Sequence, residues 1–237
     1  MEDMSASVAT SFDTPHPPKP RYSVRVGVTG RSPDQLQRKA TPRARDDLLS
    51  LFAAIETAAA GNLESNYQWY EPSKPAIRLV SSLAEGSDQL AAEIVAREFR
   101  ARADEGQTRP RAADWSIDAI LPAPKADYVA ASRVSALADP EQPIDVAGQF
   151  LTAFALADRL VELPLLTHDG TPADGGDKPG PTKTLDYHLA ARFMIWHIDV
   201  LVAVWNRKPG FGPGGAADVA RLAFESGVPV IVVDPEG

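Results

Sequence analysis

Short, nearly continuous apolar runs alternate along the chain with longer segments in which apolar residues recur at helical spacing. The short runs are rich in Val, Ile and Leu and end at turn-forming residues, which is typical of buried strands. The six predicted strands lie within residues 22–30, 76–88, 116–124, 159–166, 199–205 and 227–235. The predicted helices lie within residues 43–61, 87–101, 125–137, 145–157 and 185–198, and from about Ala216 onward. Strands and helices are therefore expected to alternate.

These strands lack the polar and apolar alternation that exposure on one side produces, so both faces of their sheet are expected to be covered. Strands that alternate with helices form parallel sheets. The sequence thus predicts an α/β, Rossmann-like, doubly wound fold, with a mainly parallel sheet of about six strands and helices on both faces. Such sheets bind ligands beyond the carboxyl ends of their strands, so the loops at that edge are the candidates for a binding site.

The glycine-rich stretch GFGPGGAADVAR, residues 210–221, precedes the last predicted helix. Gly214 and Gly215 allow the backbone to approach a ligand closely, and the first amides of a helix that begins near Ala216 have no intrahelical partner. These amides carry about half a positive charge, which suits a phosphate. The alternative, equally compatible with the residues, is an ordinary flexible connection.

A second candidate loop, GVTGR, follows the first predicted strand. Thr29, Gly30 and Arg31 can offer a hydroxyl, an amide and a bidentate guanidinium to a phosphate. The loop lacks the spacing of a dinucleotide fingerprint or a P-loop. A tight turn with a solvated arginine is the alternative.

A third loop, SSLAEGSD, residues 81–88, follows the second predicted strand. Ser82, Glu85 and Gly86 are the predicted ligand contacts, because a carboxylate at this edge can accept hydrogen bonds from ribose hydroxyls. Ser87 or Asp88 is expected to cap the next helix. The alternative role of Glu85 is to favour the helix dipole.

Composition restricts the function further. The 237 residues suffice for one large domain, expected over residues 21–237 after a disordered leader, residues 1–20. The formal net charge of −8 disfavours nucleic acid, although seven basic and four acidic residues among the first 43 remain compatible with a small anionic ligand. The chain has no cysteine and no apolar stretch of roughly 18 residues that could cross a bilayer. We expect a cytoplasmic protein with no membrane contact, no cofactor and no metal.

Other notable residues are expected to be structural. His188 and His197 lie nine positions apart on one predicted helix, so a joint metal site is not expected. Trp196 and Trp205 are expected in the core. Residues 167–183, rich in glycine and proline, are expected to form a mobile surface loop that closes over a ligand.

Together, the three loops resemble the SLOG superfamily, which groups the LOG-type nucleotide phosphoribohydrolases, the DNA-processing protein A family and many bacterial nucleotide sensors. The resemblance covers roughly residues 22–235, and its motifs are VGVTG, SSLAEGSDQLAAE and, most specific, DVLVAVWNRKPGFGPGGAADVARLAFESGVPVIVV. It is greatest to a bacterial branch without an established activity. The resemblance implies a Rossmann-like fold that holds a nucleotide or nucleotide-derived ligand at Gly214, Gly215 and the first-strand loop.

The sequence departs from the hydrolases where their chemistry needs particular residues. Residues 213–215 match the family motif Pro-Gly-Gly-x-Gly-Thr-x-x-Glu, but Ala217 and Asp218 replace its Gly and Thr, and Arg221 stands where the catalytic Glu belongs. Cleavage of an N-glycosidic bond needs a carboxylate near the ribose to stabilise developing positive charge, and a guanidinium opposes it. No catalytic residue is therefore assigned, and Glu85 and Asp218 are the candidates to supply the missing carboxylate.

The first hypothesis is a sensor domain that binds a phosphorylated nucleoside, such as an ADP-ribose-like or cyclic-nucleotide signal. Ala216, Asp218 and Arg221 complete the predicted ligand contacts. The second is an N-glycosidase with a non-standard carboxylate. The third is a DNA-handling module, which the acidic composition disfavours. A homodimer and a fused or associated effector domain are the protein partners compatible with the resemblance.

Overall fold

The computed structural model describes residues 17–30, 40–100, 112–135, 146–165, 185–207 and 215–235. The strands in these residues are β1 (Ser23–Gly30), β2 (Ala76–Ser81), β3 (Asp114–Leu121), β4 (Arg159–Glu162), β5 (Val200–Val204) and β6 (Val230–Val233). The α-helices are α1 (Ala40–Ser65), α2 (Ser87–Ile94), α3 (Lys125–Ser135), α4 (Val146–Phe154), α5 (Leu185–Ile195) and α6 (Ala216–Glu225). A π-helical turn, Val95–Arg100, extends α2, and a 3-10 turn, Tyr67–Trp69, follows α1.

The six strands form one sheet in the order β4-β3-β2-β1-β5-β6. Every neighbouring pair in this sheet is parallel. The chain builds outward from β1 to β4, then crosses back to place β5 on the other side of β1 and β6 beyond it. The predicted Rossmann-like, doubly wound fold is confirmed, and the sheet is wholly parallel.

Helices pack on both faces of the sheet, because alternate residues of each strand point to opposite faces. The larger core contains residues of α1 to α4, for example Phe52, and the inward-facing Leu79 of β2. The smaller core contains residues of α5 and α6, for example Met194, and the next residue of β2, Val80. Two apolar layers therefore cover the central strands.

The strand order reverses between β1 and β5, and this switch point positions the candidate site. Gly30, the last residue of β1, pairs with Val204, the last residue of β5. The chain then leads from β1 to α1 on one face and from β5 to α6 on the other face. Ligands of doubly wound sheets bind at such a switch point, beyond the carboxyl ends of the strands.

Some sequence expectations fall outside the described residues. These are residues 1–16 of the leader, the loop of residues 167–183, and the predicted ligand contacts Arg31 and Gly214. No helix among the described residues is long and apolar enough to cross a bilayer.

Two expectations are wrong. Trp196 is 67% exposed rather than in the core, because Met194, Ile195 and Ile198 take the inward positions at this end of α5. Neither Ser87 nor Asp88 is the N-cap of α2; that residue is Gly86, and Asp88 lies within the first turn. Trp205 is half-buried.

Gly30 lies directly against Ser87, the first residue of α2. A Cβ at Gly30 would overlap the side chain of Ser87, the first residue of α2, and would lie 3.0 Å from Cβ of Val204. The Ser87 overlap involves its Cβ as well as its hydroxyl, so a rotamer change cannot relieve it. Gly30 is therefore required by packing, whatever its amide does for a ligand.

We predict that Gly30→Ala lowers the free energy of unfolding by about 1–3 kcal/mol, because the added methyl group overpacks the contact between β1 and α2. Gly61→Ala is the matched control: Gly61 lies within α1, and nothing lies within 4 Å of a Cβ built there. The control should raise stability by about 0.5–1 kcal/mol through helix propensity. Urea unfolding measures both; a Gly30→Ala variant as stable as the wild type would contradict the packing argument.

Candidate functional site

The structure brings the described candidate residues to one edge of three adjacent strands. Thr29 and Gly30 end β1, and Ser82, Glu85 and Gly86 lie in the loop after β2. Gly215, Ala216, Asp218 and Arg221 lie at and after the start of α6, the helix that follows β5. Since β2, β1 and β5 are neighbours in the sheet, the three segments flank the switch point.

The amino terminus of α6 begins with a residue that has no side chain. Gly215 is the N-cap, with an extended backbone (φ −78°, ψ 165°), and its carbonyl accepts the first helical hydrogen bond, from the amide of Val219 at 3.0 Å. The amides that precede Val219 in the helix cannot bond within it. This end of α6 therefore has backbone donors and a helix dipole directed toward the carboxyl edge.

Asp218, in the first turn of α6, is the centre of a side-chain cluster. Its Oδ1 accepts a hydrogen bond from Arg221 at 2.6 Å, and its Oδ2 lies 3.1 Å from Nδ1 of His188 on α5. The carboxylate is only 14% exposed. Arg221 and His188 thus surround the carboxylate, which reduces its effect on an anion near the helix start.

Arg221 bonds to carboxylates on its own helix. Besides Asp218, it donates to both carboxylate oxygens of Glu225, at 2.8 and 2.9 Å. Hydrogen bonds from Arg221, first to Asp218 and then to Glu225, raise its pKa above the ordinary arginine value. Its side chain is 55% exposed, so the guanidinium lies along the outer surface of α6.

His188 is a component of the site that the sequence did not reveal. In the sequence, the nearest residue of the same type is His197, nine positions along the same predicted helix. The partner of His188 in the structure is instead Asp218, thirty positions away on another helix. No local spacing signals such a pair; it arises because α5 and α6 pack side by side on one face of the sheet. No group of three or more potential ligands for a metal ion occurs among the described residues.

Asp88 holds the loop between β2 and α2 in its conformation. Its Oδ2 accepts a hydrogen bond from the Ser81 hydroxyl at 2.9 Å, and its carboxylate also accepts bonds from the backbone amides of Ser82 and Ala84. Leu83 in this loop is fully buried and has a positive φ of 52°, a strained conformation for a residue with a branched side chain. The buried carboxyl group therefore stabilises an unfavourable loop backbone.

Glu85 lies in the same loop, close enough to affect a pair of tyrosines at the sheet edge. Tyr128 of α3 and Tyr187 of α5 are joined by a hydroxyl hydrogen bond, and their ring centroids are 6.4 Å apart. Burial raises the pKa of Tyr128 well above its ordinary value, and the charges of Tyr187, Asp88 and Glu85 raise it further. This tyrosine pair connects helices from opposite faces across the carboxyl edge.

A separate cavity of about 720 Å³ lies between α2 and α4. Gln89 and Arg97 line one side and Gln149, Thr152 and Leu156 line the other. Gly86 also borders the cavity, and among the described lining residues Gly86 is the one predicted ligand contact. The cavity is thus displaced from the switch point toward the outer side of α2.

Comparison with known proteins gives no assignment. No family model matches the chain, and no curated protein matches it. The fold and the side-chain contacts are therefore the evidence on which a function is proposed.

We predict that Asp88 makes the free energy of unfolding depend on pH. Burial raises its pKa from 3.8 to about 7, so between these values the folded protein holds a proton that the unfolded chain has lost. The contribution of Asp88 to the free energy of unfolding should therefore be greatest below about pH 4. It should fall as the pH rises to about 7, by up to about 1.4 kcal/mol per pH unit.

Asp88→Asn should abolish this decline, as measured by urea unfolding from pH 4 to pH 8. Ser81→Ala is the matched control: it removes one hydrogen bond but keeps the ionisable group, so its decline with pH should persist. An Asp88→Asn variant with the same pH dependence as the wild type would show that another group causes it.

Proposed function

We propose that this protein binds a nucleotide or nucleotide-derived ligand, a phosphorylated nucleoside of the ADP-ribose-like kind, at the switch point between β1 and β5. One observation carries the proposal: Gly30 and Val204 end side by side, the helices that follow them, α1 and α6, lie on opposite faces of the sheet, and α6 begins at this edge with Gly215 as its N-cap. A phosphate suits the first-turn amides of a helix at this position, which have no partner within the helix.

Membership of the SLOG superfamily is part of the proposal. Its support is the placement of the motifs: VGVTG ends β1, SSLAEGSDQLAAE spans the end of β2 and α2, and the most specific segment spans β5, α6 and β6. A chain without cysteine suits a reducing cytoplasm, where such a sensor would encounter its ligand.

The electrostatic surroundings of Asp218 favour binding over catalysis. An N-glycosidase needs a carboxylate free to face the ribose, whereas Asp218 is engaged by Arg221 and His188. Its charge is therefore directed to those partners rather than toward a developing oxocarbenium ion.

The binding test is calorimetry with AMP, ADP-ribose and cyclic nucleotides. A micromolar dissociation constant corresponds to about −8 kcal/mol. Gly215→Asp should weaken binding at least tenfold, because the new carboxylate accepts hydrogen bonds from the first-turn amides and repels phosphate. The extended backbone at Gly215 accommodates Asp, a favourable N-cap residue, so stability should change by less than about 0.5 kcal/mol.

Gly61→Asp is the matched control for Gly215→Asp. It adds the same charge on α1 at a site with nothing within 4 Å, and should leave binding unchanged. Absence of binding to every compound of the panel, or equal binding by Gly215→Asp and the wild type, would contradict the proposal.

N-glycosidase activity is the second candidate, and the position of Glu85 favours it: this half-buried carboxylate follows β2 at the carboxyl edge. Our proposal predicts that the wild-type protein releases no adenine from AMP or ADP-ribose, as measured by chromatography. Release by the wild type but not by Glu85→Gln would establish the enzyme instead.

A further inference from the structure

His188 presents one ring nitrogen to Asp218 and has a second one available. Nδ1 lies 3.1 Å from Oδ2 of Asp218, whereas Nε2 has no hydrogen-bond partner among the described residues. The side chain is 29% exposed. A ring of this kind, held by a carboxylate through one nitrogen and partly exposed, is suited to contact a ligand through the other nitrogen.

The Asp218 carboxylate determines which nitrogen carries the proton. Asp218 also accepts a hydrogen bond from Arg221, a group that can only donate, and the carboxylate in such an ion pair is ionised. An ionised carboxylate only accepts hydrogen bonds, so the bond to Oδ2 requires a proton on Nδ1 of His188. In the neutral imidazole the lone pair is then on Nε2, which is a hydrogen-bond acceptor.

We propose that Nε2 of His188 accepts a hydrogen bond from a ribose hydroxyl of the ligand, with Asp218 as the positioning residue that fixes the tautomer. This inference rests on the proposed function, and it specifies a ligand with a sugar hydroxyl beside its phosphate. A lone pair repels phosphate oxygens and accepts from hydroxyl groups, so the two ligand groups bind at different places.

The spacing along α6 agrees with such a division. Gly215 and Asp218 are three residues apart, about one helical turn or 5 Å along the axis. Asp218, which His188 contacts, therefore lies about one turn beyond the N-cap of α6. Asp218, which contacts His188, and Asp186, two residues away on α5, are both acidic, and Arg221 is a basic partner of Asp218.

The test separates the two nitrogens of His188 by substitution. In His188→Asn the amide takes the place of Nδ1 and can still donate to Asp218, but nothing replaces Nε2. In His188→Gln the longer side chain places its amide near Nε2. His197→Asn is the matched control, because His197 lies just beyond the same helix and its Nδ1 lies 2.6 Å from the carbonyl oxygen of Phe193 rather than beside a carboxylate.

AMP, 2′-deoxy-AMP and 3′-deoxy-AMP are the probes, with calorimetry at pH 8. The wild type and His197→Asn should bind one of the two deoxy compounds, the one without the hydroxyl that contacts His188, about tenfold more weakly than AMP. Loss of that one hydrogen bond accounts for the difference. His188→Asn should bind AMP about tenfold more weakly than the wild type and should not distinguish AMP from that deoxy compound. His188→Gln should recover part of the affinity.

The outcomes distinguish this inference from the proposed function. If Gly215→Asp abolishes AMP binding while His188→Asn keeps the wild-type preference for AMP, the site is correct and the role of His188 is wrong. If AMP and its deoxy analogues do not bind to the wild type, both proposals fail for this ligand class. Nitrogen-15 NMR of the free protein should show His188 protonated on Nδ1 at pH 8; protonation on Nε2 alone would overturn the inference without any ligand.

Discussion

Close approach of helices to the central strand is the constraint on which the site depends. Gly27 and Gly30 of β1 have no side chains, so Ile198 can pack on one face of the sheet and Ser87, at the start of α2, on the other. β1 thereby lies between β2 and β5 with a helix layer pressed against each side. Because all the strands are parallel, α2 and α6 both start at the carboxyl edge, on either side of the switch point between β1 and β5.

Side chains at this edge are organised mainly around carboxyl groups. Asp88 binds backbone amides of its own loop, and Asp218 binds the side chains of Arg221 and His188. Each carboxyl group therefore has local partners, and the charge that an incoming phosphate meets is set largely by the backbone at the start of α6. This explains why Gly215, rather than a basic side chain, is central to the proposed binding site.

The sequence predicted the fold better than the site, for a physical reason. Strands and helices are encoded by local periodicity, and five of the six strands, including the short β4 and β6, lie within the apolar runs that predicted them. The exception, β3, begins two residues before its predicted range. The contact between His188 and Asp218 depends instead on the packing of α5 against α6, which no local pattern records. Likewise, GVTGR suggested a ligand amide at Gly30, but did not show that Ser87 would pack against it.

The most direct measurement is the movement of backbone amide signals in nitrogen-15 NMR as AMP is added. The amides of Ala216, Asp218 and Gly30 are expected to shift together and to saturate with one dissociation constant, because all three lie at the edge where the ligand is proposed to bind. Shifts confined to Gln89 and Gln149, in the cavity between α2 and α4, would place the ligand elsewhere and contradict it. So would the absence of any saturable shift.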